Sequence, residues 1–155
     1  MRHRITNLIG KWFGCGLSPV GPGTAGSLAA ILIGLIAYRW FPFRPQWFLL
    51  WAALLLVPGI WAAGEVAKQL GKEDPGCVVV DEVVGQWVTL AGALTLNWKS
   101  WLAACVLFRL FDIWKPWPVH KLESLPGGTG IVADDVMAGI YAALVLAVAG
   151  CFNLY

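Results

Sequence analysis

Asp81 and Glu82 stand side by side in a predominantly apolar run from Cys77 to Leu96, within Val78-Val-Val-Asp-Glu-Val-Val-Gly85. This pair restricts the fold more than any other feature. Burying a charge without a partner costs far more than one apolar neighbour returns. At bilayer mid-depth a charge still costs at least about 2.5–3.5 kcal/mol. The pair is tolerable near a membrane surface if it binds something positive, and a metal ion is the simplest partner. Two first-turn acids answering a helix macrodipole would read the same way in isolation. The choice between the two falls to the rest of the chain.

The surrounding composition is that of an integral membrane protein. Hydrophobic residues make up 59% and charged residues 13% of the 155, against about 45–50% and 25% in soluble domains. The length suits one domain, residues 1–155. A formal charge of +2, with no basic cluster interleaved with aromatics, argues against nucleic acid as a partner. Cys15, Cys77, Cys105 and Cys151 are widely spaced with no C-x-x-C. They read as small hydrophobes, with neither zinc nor disulfides implied.

The apolar segments predict an all-α membrane bundle of about five embedded helices, preceded by a short amphipathic helix. In Met1–Phe13, Ile5, Leu8, Ile9, Trp12 and Phe13 follow one helical face beside Arg2, Arg4 and Lys11. That pattern suits a basic helix lying on the membrane surface, and the apolar stretch is too short and broken for a signal peptide. The crossings are Ala25–Phe41, Trp47–Ala63 with a kink expected at Pro58, Cys77–Leu96, Trp101–Trp114 and Val136–Phe152. Glu65–Pro75 reads as a helix end and loop in water, and Val119–Leu125 as a short surface helix.

Two glycine-rich stretches punctuate this pattern. Gly21, Gly23 and Gly26 match G-x-G-x-x-G, but the strand and βαβ unit that motif requires are missing. What remains is a loop opening onto a helix, where Thr24 and Ser27 either cap it or help bind an anion. Gly127-Gly128-Thr129-Gly130 reads as a second such loop, with Asp134 and Asp135 just ahead of the last helix as either caps or ligands.

If the basic amino terminus is cytoplasmic, five crossings put all nine acids on that side: Glu65, Glu73, Asp74, Asp81, Glu82, Asp112, Glu123, Asp134 and Asp135. Both glycine-rich stretches land there too. Only Arg39, Arg44 and Lys99 of the eleven basic residues fall on the far side. The positive-inside rule concerns Lys and Arg, so it leaves the acids unexplained; a shared site explains them. Converging carboxylates repel unless a cation holds them, and oxygen ligands without Cys or paired His favour magnesium. Arg109, Asp112 and Lys115 recur every three residues and so share one helix face, where Asp112 is either a site residue or a counter-ion. With Thr24 and Ser27 they supply phosphate binders, so the set suits metal-assisted phosphoryl chemistry.

Four motifs then carry a resemblance. Gly21-Pro-Gly-Thr-Ala-Gly-Ser27, Val80-Asp-Glu-Val-Val-Gly85, Phe108-Arg-Leu-Phe-Asp-Ile-Trp-Lys-Pro116 and Gly130-Ile-Val-Ala-Asp-Asp-Val-Met-Ala-Gly139 together resemble the phosphatidylglycerophosphatase A family. The match is ordered, spans nearly the whole chain and shows no departure at the charged positions. The resemblance implies a bacterial, multi-pass inner-membrane enzyme that is all-helical and Mg2+-dependent. Its active site would face the cytoplasm, and its substrate would be the phospholipid phosphatidylglycerophosphate. It implies Asp81, Glu82, Asp134 and Asp135 as magnesium ligands or base, then Asp112, with Glu65 and Asp74 as helpers. Lys115 and Arg109 would neutralise phosphate oxygens, and Gly23, Thr24 and Ser27 would bind substrate. Whether water or an Asp attacks phosphorus stays open, as does the oligomeric state. A small ion-coupled transporter is the alternative, but it would keep its charges near the midplane, reachable from both sides. A non-enzymatic membrane subunit, with the acids as ordinary caps, is a third reading.

Overall fold

The computed structural model describes residues 2–155, and among them there is no strand. Seven α-helices follow one another: α1 (Arg2–Gly10), α2 (Pro22–Trp40), α3 (Trp47–Leu70), α4 (Val80–Ala91), α5 (Trp98–Trp114), α6 (Val119–Leu122) and α7 (Gly128–Cys151), with a 3-10 segment at Trp12–Leu17. The helices α2, α3 and α7 are long and apolar enough to cross a membrane. The 12 residues of α4 span roughly 18 Å, and the 17 of α5 roughly 26 Å, at about 1.5 Å per residue. The expected crossing at Cys77–Leu96 therefore contracts to a short interior helix, almost wholly buried among α7, α3 and α2.

Local chemistry sets the helix ends. Asn97 caps α5, its side chain accepting from Lys99 N at 2.9 Å and Ser100 N at 3.1 Å, while Ser100 Oγ accepts from Asn97 N at 2.9 Å. Lys115 closes α5 in the left-handed region at φ 45°, ahead of Pro116. Gly71 closes α3 at φ 64°. That helix runs unbroken through Pro58 and seven residues beyond Ala63, so Glu65 and Lys68 lie on the expected helix end and the loop begins at Gly71. In α1 only Thr6 and Gly10 are buried, and Ile5 and Leu8 stay exposed. The expected stripe divides after Gly10, because Trp12 turns inward onto Trp87, with ring centroids 5.8 Å apart, while Phe13 stays exposed.

Two of the glycine-rich readings need correction. Pro22 opens α2 as its first residue, so Gly23, Thr24, Gly26 and Ser27 are helical. Gly127 caps α7, which places Asp134 and Asp135 in its second turn and not before its start. They cannot be caps.

Packing sorts residues by size rather than polarity. The buried face of α2 is Gly23, Gly26, Ser27, Ala30, Gly34 and Ala37, while Leu28, Leu32, Leu35 and Ile36 are exposed. Likewise α7 buries Gly130, Ala138, Gly139 and Ala142 and exposes Leu144, Val145 and Val148. In water this would be inverted. In lipid, where apolar side chains gain nothing by turning inward, small residues let helices approach closely. Phe48, Trp51, Trp87 and Trp101 fill the middle, and Trp87 Nε1 donates to Ala30 O at 3.1 Å.

The most extensive seam joins α4 to α7, which run parallel. A Cβ on Gly139 would lie 2.5 Å from Gly85 O, and one on Gly85 would lie 2.6 Å from Asp135 O and collide with Phe108. Thr89 Oγ1 donates to Gly85 O at 3.0 Å and lies 3.4 Å from Gly139 O, tying the two backbones together. Substituting Gly139 with Val is expected to destabilise the protein in detergent by at least the about 1–3 kcal/mol of an overpacked core. Gly76→Ala, where a Cβ meets nothing within 4 Å, should leave thermal unfolding unchanged.

Candidate active site

The site is built from this seam. Asp81 lies four residues before Gly85 and Asp135 four before Gly139, so each carboxylate shares the contact face of its own helix. One oxygen each from Asp81, Glu82 and Asp135 falls within 4.8 Å of the others. Asp81 is 8% and Asp135 4% exposed. Asp81 Oδ1, Glu82 Oε2 and Asp135 Oδ2 are buried with no hydrogen-bond partner in the chain. Three carboxylates gathered at the buried start of a helix exceed what a macrodipole answers, and each orphaned oxygen demands a positive partner. The donor set is all oxygen and anionic, which suits a hard divalent cation.

Fixed cations flank the cluster. Arg109 Nη1 donates to Asp112 Oδ2 at 2.6 Å, one helical turn apart on α5. Asp112 in turn neighbours Asp135. Gly23 lies against both Glu82 and Arg109: a Cβ there would collide with Glu82 Oε1 and lie 3.0 Å from Arg109 Nη1. The first turn of α2, with its unpaired N–H groups, thus meets the site. Lys115 Nζ donates to Asp134 Oδ2 at 2.8 Å and lies 3.3 Å from Glu123 Oε1. Burial alone would lower the Lys115 pKa, but the hydrogen bond and charge of Asp134, together with Glu123, outweigh it and hold the ammonium above the ordinary lysine value. Burial raises the Asp74 carboxyl above its usual range; Lys115 opposes this, and Glu123 and Asp112 add to it.

The sequence-predicted residues therefore divide. Asp81, Glu82 and Asp135 meet; Asp112, Arg109 and Gly23 border them; Asp134 points instead to Lys115. The two neighbours part because successive residues on a helix point about 100° apart. Asp134 and Asp74 line a cleft of about 840 Å³ together with Lys72, His120 and Glu123. Ser27 is fully buried and its hydroxyl donates to Gly23 O at 3.1 Å, which turns it into the helix. Thr24 is exposed on the first turn of α2. Glu65 lies apart, paired with Arg2 at 3.2 Å and Lys68 at 3.6 Å. Sequence reasoning gave Glu123 no role; its only signal is its place in the short span between Pro118 and Pro126.

These features define a class: a helical membrane protein whose acids and paired cations converge at one end of the bundle, built to handle an anionic group there. The phosphatidylglycerophosphatase A family model matches residues 8–150. A phosphatidylglycerophosphatase A from Escherichia coli is 39% identical over 142 residues, covering 90% of this chain and 80% of the relative. One from Haemophilus influenzae is 40% identical over 141 residues, covering 90% and 85%. A Bacteroides thetaiotaomicron relative provisionally named phosphatidylinositol-3-phosphatase is 46% identical over 149 residues, covering 92% and 91%. No solved structure matches. The chain belongs to the phosphatidylglycerophosphatase A family and is a phosphoric monoester hydrolase.

The Lys115–Asp134 pair is partly buried. Its coupling should fall between the about 0.2–1 kcal/mol of exposed pairs and the about 3–5 kcal/mol of breaking a buried one. A double-mutant cycle of Lys115→Met and Asp134→Asn, read by unfolding in detergent, measures it. On the alkaline side the raised Lys115 pKa keeps this coupling whole up to the unfolded lysine value of about 10.4 and lets it fade as pH rises through the higher folded value; in acid, protonation of the Asp134 carboxylate removes it.

Proposed function

We propose that this protein is a magnesium-dependent lipid phosphatase that hydrolyses phosphatidylglycerophosphate to phosphatidylglycerol and inorganic phosphate at the cytoplasmic face of the bacterial inner membrane. The observation that carries the reading is the convergence of Asp81, Glu82 and Asp135 within 4.8 Å, each with an orphaned buried oxygen. All five longer helices are embedded in this reading, with α4 and α5 thinning the bilayer or relying on their neighbours. The acids then share one headgroup-level zone, where a lipid's phosphate can reach them while its acyl chains stay in the membrane.

Asp81, Glu82 and Asp135 would hold the ion, with Asp112 beside Asp135 and Asp134 steadying Lys115. A magnesium ion held there would supply positive charge to the phosphoryl group. Arg109 and Lys115 add fixed positive charges, oriented by Asp112 on one side and by Asp134 and Glu123 on the other. The first turn of α2, at Gly23 and Thr24, offers backbone N–H groups to the phosphate. Attack on phosphorus by water, its proton taken by a carboxylate, breaks the P–O ester bond and the alcohol leaves with a proton; where an Asp attacks instead, water must then cleave the aspartyl phosphate to release inorganic phosphate.

The name of the Bacteroides relative favours a second substrate, phosphatidylinositol 3-phosphate. Both lipids carry a phosphomonoester on a polyol, so the same site serves either. Purified protein is expected to release phosphate from phosphatidylglycerophosphate with Mg2+ and to stop with chelator; a faster rate on the inositol lipid would transfer the assignment to it. Asp81→Asn should lower kcat roughly 10²–10⁴-fold while leaving the protein folded. A transporter would release no phosphate under any of these conditions. Reporters fused after Lys72 and after Lys99 should report opposite compartments.

A further inference from the structure

Gln86 is 0% exposed, and neither its Nε2 nor its Oε1 finds a hydrogen-bond partner in the chain. Among the described residues, every other side chain with a buried orphaned polar atom is an acid of the site: Asp81, Glu82, Asp134 or Asp135. A cation answers a carboxylate oxygen, but it cannot answer Nε2, which is a donor and needs an acceptor. A buried amide with both ends unmet is among the rarer features of native proteins. Its position supplies the acceptor. Gln86 follows Glu82 by four residues on α4, so the two share a face with Cβ atoms about 5–6 Å apart. Glu82 Oε1 is turned to Gly23 and Arg109, and Glu82 Oε2 is the buried oxygen with no partner.

We infer that Gln86 is a positioning residue for Glu82: its amide donates to Glu82 Oε2 through one buried water and thereby fixes that carboxylate's orientation toward the ion. The inference rests on the magnesium reading above. A partner that orients a metal-binding carboxylate is commonly worth 10–100-fold in metal affinity. A residue kept for stability alone would behave oppositely to one kept for the site. The similarly sized, apolar Met gives up the bond to Glu82 but also removes the unmet buried Oε1, so Gln86→Met should unfold close to the parent temperature without metal.

The test is Mg2+-dependent thermal stabilisation of purified protein in detergent, with Mg2+-dependent phosphate release measured alongside. Gln86→Met is expected to need roughly tenfold more Mg2+ than the parent for the same shift in Tm and for half-maximal rate. Should Gln86→Met fail to fold, Gln86→Asn keeps the amide polarity but withdraws it by one methylene, and the same loss of Mg2+ response is expected. Parent-like Mg2+ response in the folded variant overturns the inference. A parent protein that itself gains no stability from Mg2+ overturns the metal reading instead, so the two failures are distinguishable.

Discussion

Gly85 and Gly139 bring the backbones of α4 and α7 together so closely that a single methyl on either would strike main-chain atoms of the other helix. The geometry of the site follows from this contact. Two parallel helices in contact at one level remain near each other one turn earlier, and there each carries an acid on the shared face. Lengthening the seam by a side chain would separate Asp81 from Asp135 and dissolve the cluster. The rule that small residues permit close approach in membranes is thus also the rule that assembles the chemistry.

The same rule explains why so many large apolar side chains lie on the surface while glycine and alanine line the buried face of α2. Lipid offers no reward for turning Leu32 or Val148 inward, whereas close helix contact rewards Gly and Ala with dispersion and with satisfied backbone. The short α4 is the consequence. Surrounded by α2, α3 and α7, it has protein rather than lipid around it. It need not span the bilayer, and it can begin at a depth where its two acids are buried yet remain beside the polar loops.

Electrostatically the site is a set of paired and unpaired groups. Arg109 with Asp112, and Lys115 with Asp134 and Glu123, are internally answered and so sit as pre-oriented cations. Asp81, Glu82 and Asp135 are unanswered. Strongly perturbed, unanswered buried charge clusters at functional sites, and the division between the two groups separates ion-paired residues from carboxylates with no cationic partner in the chain.

The sequence alone determined the membrane class, the approximate helices and the inventory of acids, because apolar runs of bilayer length are one-dimensional properties. It also carried the family resemblance through four ordered motifs. It could not separate Asp134 from Asp135, adjacent residues that a turn of about 100° sends to Lys115 and to α4 respectively. It took Gly127–Gly130 for a loop, although Gly128–Gly130 form the first turn of α7 against α3, and it offered Ser27 as a phosphate donor when its hydroxyl is spent on Gly23 O. Those outcomes depend on which helix face meets which neighbour. Only close packing in three dimensions decides that, because rotation about a helix axis leaves every local preference unchanged.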